Sequence, residues 1–396
     1  MSAYQNTQYQ AVDSYTNILN NQKAQSRRSK YIVIGCVIGV LAIIGVGVGV
    51  GVSVSKDHKS TAAKGAATNS SVVSQTDPND PSTFIKNASW HQAFYGIAYT
   101  PEGSQLPECG NNLTDVITDI QLLSQLTTRI RLYGADCNQS ALVLEAIKQT
   151  KVNMTVYLAN YPVPTDGGAA YERQRDLIEA ALQTYGTDHV SGVTVGNEYI
   201  LDYLSDNGGS TQDPNGPVGN EGAALLLPNI TDTISRLKGL GYNLPVGNAD
   251  AGSYFNNEVL SAVDYGMANV HPWFADEVIQ DAAAWTWEFF EDTNLADAAN
   301  LTNKPTMYIA ETGWPTNSST AAAESDGPSN ASVANLQIFI DTFVCAANAN
   351  GTGYFFFEYF DEVWKDIEFG GVEGYWGIFN SDRTIKNVNI PTCIAP

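Results

Sequence analysis

The chain has 396 residues, with 42 acidic against 20 basic side chains and a formal net charge of −22. That balance excludes a nucleic-acid partner, because phosphate would be repelled rather than neutralised. It suits a body that faces neutral substrates.

In chain order, residues 1–30 are rich in Gln, Asn, Ser and Tyr and predict a disordered cytoplasmic arm. Its Tyr15-Thr-Asn-Ile18 has the shape of a sorting signal, but four-residue matches are common by chance. Residues 31–55 carry no charge. At about 1.5 Å per residue a helix of that length exceeds the roughly 30 Å hydrocarbon core, so a transmembrane signal-anchor is expected. A cleaved signal peptide fits less well, since the apolar run is long and lies behind 30 polar residues. Lys23, Arg27, Arg28 and Lys30 precede the run, whereas Lys56 and Lys59 after it are offset by Asp57. The arm is therefore expected inside and the rest outside, a single-pass type II protein of the plasma membrane with an extracellular body. The small-residue pairs Gly35/Gly39, Gly45/Gly49 and Gly47/Gly51 follow from glycine-rich composition as readily as from helix pairing. Residues 56–82 lack apolar periodicity and read as a flexible linker.

Glycosylation sequons begin at Asn69, Asn87, Asn112, Asn138, Asn153, Asn229, Asn300, Asn317, Asn330 and Asn350, all beyond the anchor. Cys36 lies within the anchor and four cysteines lie outside it. Four allow three pairings, of which the sequence-near one, Cys109–Cys137 with Cys345–Cys393, is expected.

Residues 83–396 suffice for one large domain or two ordinary ones. Strands are expected near Tyr95–Tyr99, Arg129–Tyr133, Met154–Leu158, Val190–Asn197, Pro245–Asn248, Met267–His271, Thr306–Ala310 and Tyr354–Phe357. Amphipathic helical stretches fall between them at Leu113–Leu126, Ser140–Gln149, Tyr171–Tyr185 and Val333–Asn348. Eightfold alternation predicts an α/β fold, a single (β/α)8 TIM barrel, with a doubly wound open sheet as the alternative. In a barrel, polar residues should gather after each strand, where the cleft forms. They do so at Tyr99; Arg131, Tyr133 and Asp136; Asn160 and Tyr161; Asn197 and Glu198; Asn248 and Asp250; His271, Trp273 and Phe274; Glu311 and Trp314; and Glu358, Tyr359, Asp361, Glu362 and Lys365.

Two of these tips end in a carboxylate, Val193-Thr-Val-Gly-Asn-Glu198 and Thr306-Met-Tyr-Ile-Ala-Glu311. Cleaving an acetal needs a proton for the departing oxygen and a partner for the oxocarbenium-like centre, so two carboxylates on different tips point to a glycosidase. Each alone would more often be a solvated loop residue; together with Asn197 and the eight-tip pattern they favour catalysis. His271 and Tyr133 are expected to orient Glu311, and Asn197 to bond a sugar hydroxyl. Trp273 and Trp314 are either core or sugar platforms, and Lys365 with Glu362 could be a plain surface ion pair. Four histidines without paired ligand spacing predict no metal, and no cofactor is expected.

Several motifs resemble glycoside hydrolase family 17, the β-1,3-glucanases and related glucanosyltransferases. They are Phe94-Tyr-Gly-Ile-Ala-Tyr99, Arg129-Ile-Arg-Leu-Tyr133, Val195-Gly-Asn-Glu198, Ile309-Ala-Glu-Thr-Gly-Trp-Pro315, Phe355-Phe-Phe-Glu-Tyr-Phe-Asp-Glu362 and Glu373-Gly-Tyr-Trp-Gly-Ile-Phe379. The resemblance covers residues 90 to 393 and implies a retaining mechanism on β-1,3-glucan, in fungal cell-wall remodelling. By motif, Glu198 is then acid/base and Glu311 nucleophile, while Glu362, Lys365 and Glu373 line the cleft. His271 departs from the family's plant members, which usually carry tyrosine there. Endo-hydrolysis is the expected activity, with glucanosyl transfer or exo-cleavage as alternatives. A non-catalytic glucan-binding protein would have no need of both carboxylates.

Overall fold

The computed structural model describes residues 72–207 and 213–396. The expected cytoplasmic arm, the membrane helix at 31–55 and the first part of the linker lie outside the described residues. Among the described residues no helix is long and apolar enough to cross a membrane.

Eight parallel strands close into a barrel, which excludes the open sheet. They are β1 (Gly96–Ala98), β2 (Arg129–Arg131), β3 (Thr155–Asn160), β4 (Val190–Val195), β5 (Val246–Ala251), β6 (Tyr265–Asn269), β7 (Thr306–Thr312) and β8 (Tyr354–Phe356). Neighbours round the barrel are neighbours in sequence, and β8 closes on β1. Helices α1 (Leu113–Leu123), α2 (Gln139–Thr150), α3 (Ala169–Tyr185), α4 (Tyr199–Asp206), α5 (Pro217–Gly239), α6 (Asn257–Ser261), α7 (Ile279–Phe289), α8 (Ala296–Asn300) and α9 (Val333–Ala349) lie between the strands. A short α10 (Val363–Glu368) follows β8. Asn112 and Ser332 start α1 and α9 by accepting the N–H of Asp115 and Asn335, which satisfies donors the helix leaves orphaned.

Aromatic rings fill the barrel interior. Tyr157, Tyr265 and Phe355 are buried against Ala249, Met267 and Ala310. Tyr157 meets Tyr265 and Phe355 edge to face at 5.4 and 5.5 Å, a favoured quadrupole geometry. Glycine makes room for them: a Cβ at Gly247 would lie 2.1 Å from the Tyr265 ring, and one at Gly192 would lie 2.9 Å from it. Strand β7 carries one extra residue against both neighbours, since Ala268 pairs with Ile309 but Asn269 pairs with Glu311. Strand alternation alone would send Glu311 to the face opposite Ala310; the bulge turns it inward to the mouth.

Both disulfides form as expected, Cys109–Cys137 and Cys345–Cys393, with Cα separations of 5.1 and 5.8 Å. Residues 72–82, read as the end of the linker, instead pack on the body. Val73 is buried, Gln75 bridges Phe84, and Gln121 Nε2 donates to Pro81 O at 2.8 Å. Composition concealed this because the segment is ordered by polar contacts, such as Asp80 capping the turn at Pro81–Thr83.

Candidate active site

A cleft of about 470 Å³ opens at the C-terminal ends of the strands. Glu198 and Glu311 both line it, with Tyr133, Asn197, Lys365 and Glu373. The structure thus brings together six of the thirteen site residues expected from sequence in one cleft; Arg131 and His271 stand directly behind, bonded to Glu311.

Glu311 is gripped through both oxygens. Arg131 Nη1 donates to Oε1 at 2.9 Å, and His271 Nε2 lies 3.0 Å from Oε2. Burial alone would push this carboxyl up. The His271 hydrogen bond and the Arg131 charge outweigh it and hold Glu311 down at about 2. Arg131 is itself buried: the same Nη1 donates to Ala310 O at 3.1 Å, the carbonyl at the β7 bulge, and Nη2 donates to Asn197 Oδ1 at 2.6 Å. The bulge that aims Glu311 and the cation that ionises it are therefore one construction. Tyr133 also faces Glu311, although its buried hydroxyl makes no hydrogen bond of ordinary geometry.

Glu198 lies in the opposite electrostatic setting. Burial pushes it up first and the charge of Glu311 second, against one hydrogen bond from Asn269 Nδ2 at 2.9 Å, so it rises to about 7. Its backbone sits in the left-handed region at φ 55°, a conformation sparsely used by non-glycine residues and often found at functional positions. Two carboxyls on one cleft are thus held apart in protonation, the ionised one gripped by Arg131 and His271 and the protonated one by a single neutral amide.

Other expected residues play structural parts. Tyr99 is buried and donates to Asp119 of α1 at 2.8 Å. Asn248 has strand parity opposite to the inward Ala249, and its amide donates to Val195 O at 2.8 Å. Trp273 and Trp314 are buried, pack edge to face at 5.5 Å, and Trp314 donates to Asn330 O. Glu362 is buried and accepts from Trp364; it and Glu358 flank Lys365, whose Nζ is 2.7 Å from Glu358 and 3.4 Å from Glu362. Burial opposes the Lys365 charge, but these carboxylates hold it above its ordinary value.

The aromatic surface falls elsewhere. Tyr161, Trp364 and Phe369 line the cleft while staying partly exposed, which leaves ring faces available to sugar C–H groups. Trp364 and Phe369 were not expected from sequence, since nothing in α10 separates a cleft aromatic from a core one. Asn269 was missed although a signal existed. Tyr265, Met267, Asn269 and His271 share one parity, so the inward face of β6 leads straight to the mouth.

The model of the BtgE/BtgC glycoside hydrolase domain matches residues 96–377, from the first strand to beyond the last. The chain belongs to this family. A btgC relative from Aspergillus niger is 34% identical over 335 residues, covering 80% of this chain and 46% of the relative. The glucan endo-1,3-beta-glucosidase btgC of Emericella nidulans is 32% identical over 319 residues, covering 76% and 46%. This BtgE/BtgC chain therefore spans about half the length of the curated relatives it matches. Its fold is that of a Rhizomucor miehei β-1,3-glucanosyltransferase active-site mutant in complex with laminaritriose. That structure has a TM-score of 0.59 at 22% identity, and the match covers 76% of this chain and 99% of the other.

Proposed function

We propose that this chain is a retaining glycoside hydrolase that cleaves β-1,3-glucan, with Glu311 as nucleophile and Glu198 as acid/base. The observation that carries the reading is the opposed protonation of the two carboxyls across one cleft. A nucleophile must be ionised when substrate arrives, and Arg131 with His271 keeps Glu311 so. A general acid must hold a proton near neutral pH, and burial beside Glu311 keeps Glu198 so.

In the first step a Glu311 oxygen attacks the anomeric carbon as the glycosidic C–O bond breaks. The departing oxygen takes the proton of Glu198, giving a glycosyl ester on Glu311 and an ionised Glu198. In the second step Glu198 removes a proton from the incoming acceptor, whose oxygen displaces Glu311. Arg131 and His271 bond the carboxylate in the ground state and compensate as its charge passes into the ester and returns. The two carboxyls are tied into one hydrogen-bonded relay: Asn269 bonds Glu198, and Arg131, bonded to Glu311, reaches Asn269 Oδ1 at 3.5 Å. The names of the family relatives support β-1,3-glucan as substrate.

The proposal extends to placement. Residues 31–55 form a signal-anchor helix, and the barrel is displayed at the cell surface as a glycoprotein that remodels wall glucan. The uncharged run and its basic flank support this. So does the exposure of Asn87, Asn112, Asn138, Asn153, Asn300, Asn317, Asn330 and Asn350 on the body. A β-1,3-gluco-oligosaccharide tested by mass and by the anomer first formed decides the chemistry. Shorter β-products establish retaining hydrolysis, longer ones glucanosyl transfer, and unchanged substrate with intact binding refutes the enzyme.

A further inference from the structure

We propose that Asp250 is a positioning residue for the acid/base: it caps helix α4 from the neighbouring strand, so that Glu198 can begin that helix while its own carboxyl faces the cleft. This rests on the assignment of Glu198 above.

The geometry begins with an anomaly at the start of α4. A residue in the N-cap position ordinarily turns its side chain back to accept a backbone N–H of the first turn, which is why Ser, Thr, Asp and Asn dominate there. Here the N-cap is Glu198, and its side chain makes no capping bond. It points to Asn269 and the cleft instead. The N–H of Ile200, second residue of the helix, would then be a buried donor with no acceptor, since Ile200 is fully buried. Asp250 Oδ2 accepts it at 3.0 Å, and Oδ1 accepts Ala251 N at 2.9 Å. Asp250 is fully buried, and among the described residues no cation pairs with it.

The capping bond is one of a set. Asn248 Nδ2 donates to Val195 O at 2.8 Å, Ala249 N to Gly196 O at 3.2 Å, and Glu198 N to Ala249 O at 3.2 Å. Three consecutive residues of β5 thus hold the turn that carries Asn197 and Glu198. Gly196 lets the clasp close, since it has φ +92° and a Cβ there would meet Asn248 Nδ2 at 2.8 Å. The left-handed backbone of Glu198 is not a low-energy default for glutamate and persists only where surroundings fix it. Of the clasp's bonds, only the one from Asp250 reaches the helix side of Glu198. Without it the first turn of α4 is free to unwind and swing the acid away from the departing oxygen.

The test separates positioning from folding by changing the leaving group. The full-length protein carrying Asp250→Ala, or Asp250→Asn, which keeps a capping acceptor at the same reach, is compared with wild type on two substrates. A β-1,3-gluco-oligosaccharide needs a proton on its leaving oxygen; 2,4-dinitrophenyl β-laminaribioside does not. Misplacing a reacting group by about 1 Å costs on the order of a hundredfold, so Asp250→Ala should lower kcat/KM on the oligosaccharide by about tenfold to a hundredfold. On the dinitrophenyl glycoside kcat/KM should stay near wild type, and Asp250→Asn should recover part of the oligosaccharide activity. Equal losses on both substrates, no loss on either, or failure of both variants to fold would each overturn the assignment. A wild-type protein inactive on both substrates would instead overturn the glycosidase reading on which it rests.

Discussion

Replacing Arg131 by methionine keeps most of the side-chain volume and removes the charge that faces Glu311. Arg131 is buried with its Nη1 2.9 Å from Glu311 Oε1, and Glu311 sits at about 2 against an ordinary 4.5. At about 1.4 kcal/mol per unit, that depression corresponds to about 3 kcal/mol, shared among His271, Arg131 and Tyr133. The folded-state value lies below the unfolded one. The stabilisation is therefore complete above pH 4.5 and drains away as pH falls towards 2. Breaking a buried pair from one side costs about 3–5 kcal/mol, because the orphaned carboxylate stays behind. Arg131→Met should thus lose about 3 kcal/mol or more in equilibrium denaturation at neutral pH, with the deficit shrinking as the solution is acidified. The acid limb of kcat/KM should move upward with it, since Glu311 ionises less readily. A deficit that is constant across pH, or one below about 1 kcal/mol at neutral pH, would refute the coupling between this cation and the nucleophile.

Glu311→Gln should abolish turnover while leaving oligosaccharide binding measurable by calorimetry. In wild type, kcat/KM should fall as pH rises through about 7, where Glu198 loses the proton it must donate. That limb should vanish in Glu198→Gln. The same variant should be more stable than wild type above that pH. The folded state holds the proton up to about 7 whereas the unfolded chain releases it near 4.5, so ionising Glu198 destabilises the fold. Trp364→Ala should raise KM more than it lowers kcat in oligosaccharide kinetics, because it removes a ring face from the cleft wall rather than a reacting group. Cys109→Ala with Cys137→Ala reopens a span of 28 residues and should cost about 3–4 kcal/mol in thermal or denaturant unfolding, by loop-closure entropy.

The barrel was legible because its strands are apolar runs ending in polar residues, a pattern that needs no long-range information. The two carboxylates were legible for the same reason, being the last residues of such runs. Asn248 misled because a polar residue at a tip does not declare its face; only the pairing of β5 shows that it turns outward. Trp273 and Trp314 misled because burial of an aromatic depends on packing contributed from distant segments, here the stretch around Asn330. Asn269 was hidden inside what read as an apolar strand, and its parity with His271 was the one available clue. The order of residues 72–82 could not be read at all, since short polar bonds leave no periodic trace.

The three-way fit of Gly192, Gly247 and Tyr265 in the barrel interior bears on how relatives of this protein can diverge. The two glycines on adjacent strands receive one ring, so no single exchange among them is neutral: a methyl group at Gly247 collides with Tyr265, and a smaller residue at Tyr265 opens a void. Compatible change requires side-chain volume to pass from one position to another in concert. Across homologous barrels these sites should therefore covary as a set, conserving their summed size while the cleft loops above them drift independently.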